Sequence, residues 1–167
     1  MRRFRFPVPL SIVLFLALTA AGAYYVRKGM LERAMVSAIE NGDAGMIRDL
    51  LRCWPCPVHA QTKYRITALH WGAAMGDVEI VELSVAKGAR LDDMANVDYG
   101  EGKAHCFSAT PLWCATEFGH LEAARRLLAA GARTDVGTDL GLAPLRCALE
   151  NKDPAMIRLL REYGAKE

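Results

Sequence analysis

The chain has 167 residues, of which 52% are hydrophobic, and it carries 21 basic and 19 acidic residues. Residues 1–30 hold five basic and no acidic residues, so the other 137 residues hold 16 basic and 19 acidic ones. A slightly acidic part of this length fits one domain and argues against nucleic acid as a partner.

An uncharged stretch of 19 residues runs from Val8 to Val26. It is long enough to cross a bilayer core of about 30 Å as a helix. The Tyr24-Tyr25 pair suits a membrane interface and favours an uncleaved signal anchor over residues 1–30. The alternative is a signal peptide cleaved at Ala21-Gly22-Ala23, which would leave a soluble periplasmic protein. Three arginines among the first five residues favour a cytoplasmic N-terminus, so we expect the domain in a bacterial periplasm.

A helical pattern from Leu31 to Leu51 is followed by Cys53-Trp54-Pro55-Cys56. The C-x-P-C spacing is typical of thioredoxin-like oxidoreductases, whose first cysteine reacts as a thiolate at a helix start. That chemistry needs a strand before the motif and a helix opening at it, whereas a helical stripe precedes it here. A disulfide between Cys53 and Cys56 that rigidifies the loop is favoured. Free thiols and a catalytic redox pair are the alternatives.

The rest of the chain repeats itself. Thr67-Ala68-Leu69-His70 is followed by Thr110-Pro111-Leu112-Trp113 and Ala143-Pro144-Leu145-Arg146. The threonine hydroxyls suit helix N-caps, and proline suits the first helical position. A glycine-alanine pair closes each copy, as at Gly131-Ala132, where a left-handed residue ends a helix. Each copy therefore predicts a helix, a short turn, a second helix and a loop.

These copies resemble the ankyrin repeat, whose T-P-L-H-x-A-A-x-x-G-H pattern is matched best from Thr110 to His120. The resemblance covers residues 31–167 and implies an all-α solenoid there. The transmembrane or signal helix predicted from the uncharged stretch would precede it. Four units are expected at about 31–61, 62–104, 105–137 and 138–167, with an inserted loop over 91–108. Arg161 stands where the preceding copy has Leu128, which suits a terminal unit that faces water.

Few residues remain for catalysis or metal binding. The resemblance assigns His70 and His120 to hydrogen bonds within and between units, which leaves His59 and His105 far apart in sequence. Neither a phosphate-binding glycine loop nor a G-x-S-x-G motif occurs. We therefore expect no enzymatic activity, no metal, no cofactor and no small-molecule substrate.

The resemblance places the binding face on the loop tips and on the concave side of the first helices. A cluster of exposed aromatic and methionine side chains with acidic neighbours is typical of a protein-binding surface. The candidate residues are Tyr64, Ile66, Ala74, Met75, Phe107, Glu117, Phe118, Leu140, Glu150 and Asn151.

The sequence thus predicts a protein-binding module, tethered to or exported across a bacterial inner membrane. Immunity against a secreted toxin is the favoured role. Support of an envelope or oxidative-stress enzyme is one alternative, and a thiol-disulfide redox protein that uses Cys53 and Cys56 is another.

Overall fold

The chain is described from a computed structural model, which covers residues 10–97 and 107–166. Within those residues the structure has eight α-helices and one two-stranded antiparallel sheet. In chain order they are α1 (Leu10–Asn41), α2 (Ala44–Arg52), α3 (Ala68–Met75), α4 (Val78–Ala86), β1 (Ala95–Val97), β2 (Phe107–Ala109), α5 (Pro111–Glu117), α6 (Leu121–Ala129), α7 (Pro144–Glu150) and α8 (Pro154–Glu162).

The helices pair in sequence order and stack as two layers. Consecutive helices pack together as four helical hairpins: α1 with α2, α3 with α4, α5 with α6, and α7 with α8. The first helix of each hairpin contacts the first helix of the next, which forms the layer α1, α3, α5, α7. The second helices contact one another in the same way and form the layer α2, α4, α6, α8. Two clusters of buried side chains, which meet in the second hairpin, fill the space between the layers. Each hairpin therefore buries its apolar face against its neighbours, as a solenoid requires.

The helix starts follow the chemistry read from the sequence. Thr67 caps α3 by accepting a hydrogen bond from the backbone N–H of His70, and Thr110 caps α5 in the same way through Trp113. Pro111 and Pro144 occupy first-turn positions of α5 and α7, where a missing N–H costs nothing. The repeated segment is thus a helix-start signal, as predicted.

The turn between the two helices of each hairpin uses one left-handed residue. Gly42, Gly76 and Gly119 have φ values of 69°, 70° and 71°, and Lys152 takes the equivalent place with φ 53°. A left-handed backbone favours glycine because other residues carry a Cβ penalty there. These four residues give the register by which equivalent positions in the four hairpins are compared below.

The expectation of an all-helical chain is wrong at the inserted loop. Its two ends return to each other and pair as β1 and β2, with Ala95 opposite Ala109 and Val97 opposite Phe107. The pairing satisfies backbone groups that a long loop would otherwise leave to water. Residues 98–106 of the insertion, including His105 and Cys106, lie outside the described residues.

At the N-terminus, α1 is a single helix of 32 residues. The expected boundary between residues 30 and 31 falls inside it, so its last turns form the first helix of the first hairpin. Within the described residues, no helix combines the length and the apolar composition needed to cross a membrane. The expected segment 8–26 begins outside those residues, since the structure describes the chain from Leu10 onward.

Candidate protein-binding face

One edge of the first layer carries a row of exposed side chains, which we call the turn row. It consists of the residues directly before the left-handed turn residue of each hairpin: Asn41, Met75, Phe118 and Asn151. Met75 exposes 56% of its surface and Phe118 44%, and both amides are also exposed. The row therefore has two large apolar side chains in the middle and an amide at each end.

His120 holds the centre of the turn row in place. Its Nε2–H donates to the carbonyl of Ala74 at 3.0 Å, which ties the third hairpin to the residue before Met75. The ring of Phe118 lies 6.5 Å from the His120 ring, centroid to centroid. A Cβ on Gly76 would come within 2.5 Å of His120 Nδ1. The apolar pair thus stands on a tightly packed junction between the second and third hairpins.

The acidic positions beside the turn row are engaged within the protein. Glu117 is half-buried; its carboxylate accepts a hydrogen bond from the Cys147 thiol at 2.9 Å and another from the Asn151 side-chain amide at 3.3 Å. Glu150 accepts from Arg146 one turn earlier on α7, at 3.1 Å. Glu117 and Asn151 therefore join the third and fourth hairpins, besides being accessible at the face.

The predicted loop-tip residues occupy different surroundings. Tyr64 is exposed and has the ammonium of Lys63 over its ring at 4.8 Å, whereas Ile66 packs against the core. Leu140 is 68% exposed in the loop before α7. Phe107 lies in β2, and its side chain is not among those described. The structure therefore leaves Tyr64 and Leu140 free to meet a partner, and the roles of all ten candidates stay predictions.

A cavity of about 270 Å³ between the first two hairpins includes residues that the sequence analysis missed. We call it the junction cavity. It is lined by Ile39, Glu40, Thr62, Tyr64, Ile66 and Trp71. Trp71 directly follows His70 in the repeat pattern, on helix α3. The pattern could therefore have pointed to Trp71, whereas the approach of Ile39 from α1 could not be read from it.

His70, the histidine of the second hairpin, has a structural role. Its Nε2–H donates to the carbonyl of Asp93 at 2.9 Å, and Nδ1 lies 2.8 Å from the Thr67 hydroxyl. Burial disfavours the charged ring and lowers the pKa of His70 to about 4. His70 is thus a neutral hydrogen-bonding group inside the fold, as the resemblance implied.

Cys53 and Cys56 are not bonded to each other in the structure, and the disulfide expected between them stays a prediction. The Cys56 thiol instead donates to the carbonyl of Leu51 at 3.4 Å, and burial raises its pKa. Cys114 and Cys147 are also free, and both are buried in the packing between hairpins. Burial raises the pKa of Cys114 to about 12 and, with help from the Glu117 contact, raises that of Cys147 too. Protonated thiols of this kind are poor nucleophiles.

The loop after α2 meets the N-terminal half of α1 through aromatic rings. Trp54 is 73% exposed and its ring centroid lies 5.6 Å from that of Tyr24, which in turn stacks edge-on against Tyr25 at 5.5 Å. In the part of the chain that the structure describes, no group of three or more histidine, cysteine or acidic side chains could hold a metal ion.

A family model described as ankyrin repeats (3 copies) matches residues 34–138 and 95–167, which is most of the chain. The chain belongs to the ankyrin repeat family. Among curated proteins it is 31% identical over 96 residues to the human transient receptor potential cation channel subfamily A member 1. That match covers 57% of this chain and 8% of the channel protein, so the chain spans a small part of this relative. Ankyrin repeats are protein-interaction modules, and this one presents its turn row to solvent.

Proposed function

We propose that the chain is a binding module for one protein partner, which it contacts through the turn row and the neighbouring loop tips. The observation that carries the proposal is the exposure of Met75 and Phe118 side by side in register on a rigid junction. Methionine and aromatic side chains are enriched at protein interfaces, and a preorganised surface loses little entropy on binding. The engaged carboxylates and amides around them supply a polar rim.

Affinity capture with the full-length chain tests this proposal. The intact protein is compared with a Met75→Glu/Phe118→Glu variant, and a Tyr163→Glu variant serves as the matched control because Tyr163 is equally exposed at the end of α8, away from the row. We expect the intact protein and the control to retain one partner that the double variant loses. Circular dichroism checks that all three are folded. Equal capture by the double variant would contradict the assignment of the face.

We also propose that residues 8–26 tether the module to a bacterial inner membrane, with the repeats on the periplasmic side. The uncharged run and the arginines before it support this placement. The Tyr24, Tyr25 and Trp54 rings support it further, because tyrosine and tryptophan rings favour the membrane–water interface. A phosphatase fused at the C-terminus should be active and remain in the membrane fraction after alkaline extraction. An active reporter in the soluble fraction would indicate a cleaved leader, and an inactive one a cytoplasmic domain.

As the specific role we propose immunity, in which the tethered face occludes a secreted toxin. Small size, a tether and one exposed face suit an inhibitor, and no residue of the chain is required to do chemistry. The captured partner tests this role directly. Cells that express the partner should survive only when they also express the intact chain, and not when they express the Met75→Glu/Phe118→Glu variant. A partner that is an envelope or oxidative-stress enzyme, and is harmless alone, would contradict immunity and favour enzyme support.

A further inference from the structure

The junction cavity differs in one respect from the equivalent place two hairpins later. Counted from the turn residues, Glu40 is equivalent to Glu117, Trp71 to Cys147 and Met75 to Asn151. At the later junction the cysteine and the asparagine both donate hydrogen bonds to the glutamate. At the first junction methionine replaces the asparagine, and its side chain has no donor. Glu40 thus occupies the position at which its counterpart, Glu117, accepts hydrogen bonds from two donors of the next hairpin.

The walls of the cavity are mostly apolar. Trp71 and Tyr64 contribute aromatic surface and Ile39 and Ile66 contribute aliphatic surface, while Glu40 is the one charged group among the lining residues. Lys63 and Arg65 flank Tyr64 in sequence and neither lines the cavity. The Lys63 ammonium already lies over the Tyr64 ring at 4.8 Å, so the Trp71 ring is the aromatic wall left for a further cation. Aromatic rings attract a cation over their faces, and a carboxylate at the rim attracts its charge.

The tyrosine wall is held by the turn that carries it. The Thr62 hydroxyl accepts the backbone N–H groups of Tyr64 and Ile66 at 3.3 and 3.2 Å, and the Thr62 N–H donates to the Ile66 carbonyl at 3.0 Å. The Tyr64 carbonyl in turn accepts the N–H of Asn96 from β1 at 2.8 Å. This part of the cavity is therefore formed before any partner arrives.

We propose that the junction cavity binds an arginine side chain of the protein partner, with its guanidinium against Trp71 and its N–H groups directed to Glu40. Arginine fits better than lysine because its planar group stacks on aromatic rings and presents several donors in one plane. The guanidinium would donate to Glu40 as Cys147 and Asn151 donate to Glu117. Trp, Tyr and Arg are also the residues that dominate binding at protein interfaces. This inference rests on the proposed binding function and names the chemistry of one anchor.

The test uses the full-length chain in detergent micelles and the peptide Ac-Gly-Arg-Gly-amide as the probe. The indole N–H resonance of Trp71, assigned by its loss in Trp71→Phe, reports binding in ¹H–¹⁵N spectra. We expect saturable shifts in the millimolar range, because the probe supplies a single anchor. The citrulline peptide, which has the same shape without the charge, should bind severalfold more weakly. Equal shifts with citrulline, or larger shifts with the glutamate peptide Ac-Gly-Glu-Gly-amide, would overturn the proposal.

Glu40→Gln keeps the shape of the rim and removes its charge. It should weaken binding of the arginine peptide by about twofold to fivefold, as expected for a solvent-exposed ion pair. Glu162→Gln is the matched control, since Glu162 is an exposed glutamate of α8 that does not line the cavity, and it should leave the binding unchanged. The backbone spectrum shows whether each variant is folded. An unchanged affinity in a folded Glu40→Gln protein would overturn the role of Glu40.

Failure of this inference can be told apart from failure of the proposed function. If a partner is captured through Met75 and Phe118 but the arginine peptide produces no shift, the binding module stands and the arginine anchor is wrong. If the peptide binds as expected but capture does not depend on the turn row, the anchor stands and the proposed face is wrong.

Discussion

Gly72 permits the close approach of α3 and α4, and replacing it with alanine should destabilise the protein. A Cβ at this position would lie 2.8 Å from Cγ2 and 3.1 Å from Cβ of Ile80, which is fully buried. Overpacking of this kind costs about 1–3 kcal/mol. Alanine gains up to about 1 kcal/mol over glycine in helix propensity. The middle of the steric range, about 2 kcal/mol, less this gain of about 1 kcal/mol leaves a net cost, so we expect Gly72→Ala to lower the free energy of unfolding by about 1 kcal/mol.

Urea unfolding of the full-length chain, followed by circular dichroism at 222 nm, measures this change. Gly45→Ala is the matched control, because Gly45 lies in helix α2 and its nearest neighbour is Asp43 Oδ1 at 3.4 Å, an ordinary contact. This variant should be as stable as the wild type or more stable.

A double variant shows whether Ile80 is the cause. Ile80→Ala alone should cost about 2–5 kcal/mol, because it empties a buried site. It also removes the Cγ2 atom that a new Cβ at Gly72 would meet. Gly72→Ala/Ile80→Ala should therefore be less destabilised than the sum of the single variants by about 1 kcal/mol or more. Additive changes, or a Gly72→Ala protein as stable as the wild type, would refute the steric argument.

Three further outcomes are expected. Burial lowers the pKa of His70 to about 4 in the folded protein, whereas a histidine in the unfolded chain has a pKa of about 6.5. As the pH falls, the unfolded chain therefore takes up the proton first. The free energy of unfolding should fall by about 3 kcal/mol between pH 7 and pH 4. His70→Gln should flatten this dependence in urea titrations, and His59→Gln should not, since His59 is exposed. Thr110→Ala should cost about 1–2 kcal/mol in the same assay, and Thr110→Ser much less. The Thr110 hydroxyl both caps α5 and donates to the Val136 carbonyl at 3.2 Å. Iodoacetamide at pH 8 should label Cys53 in the folded protein but not Cys114, as measured by peptide mass spectrometry. The Cys114 thiol is buried and its pKa is raised to about 12. A protected Cys53 or a labelled Cys114 would contradict the thiol assignment.

The features that the sequence predicted best are those with a local cause. The threonine caps, the prolines at helix starts and the left-handed glycine that closes a copy, as at Gly131 with φ 98°, each depend on the chemistry of a few neighbouring residues. Lys152 is informative here, because it adopts φ 53° at the place where the other hairpins have glycine. The register of the repeat therefore overrides the preference of the individual residue.

The features that it missed depend on residues far apart in the chain. The β1–β2 pairing joins the two ends of an insertion whose length gives no periodic signal. The junction cavity needs Ile39 from α1 beside Trp71 from α3, and the Trp54–Tyr24 contact brings the loop after α2 back to α1. The C-x-P-C spacing allowed a disulfide, but whether two thiols bond depends on geometry that spacing alone does not fix.

The continuity of α1 has a mechanical consequence. A helix of 32 residues is about 48 Å long, and its last turns pack directly into the first hairpin rather than ending at a flexible linker. Rotation of its N-terminal end is therefore transmitted to the stacked hairpins as rotation of a rigid lever. Whatever holds the first turns of α1 also sets the direction in which Met75 and Phe118 face. A short glycine-serine insertion after Met30, ahead of the turns of α1 that pack into the first hairpin, would break this coupling at a single point and leave each hairpin intact.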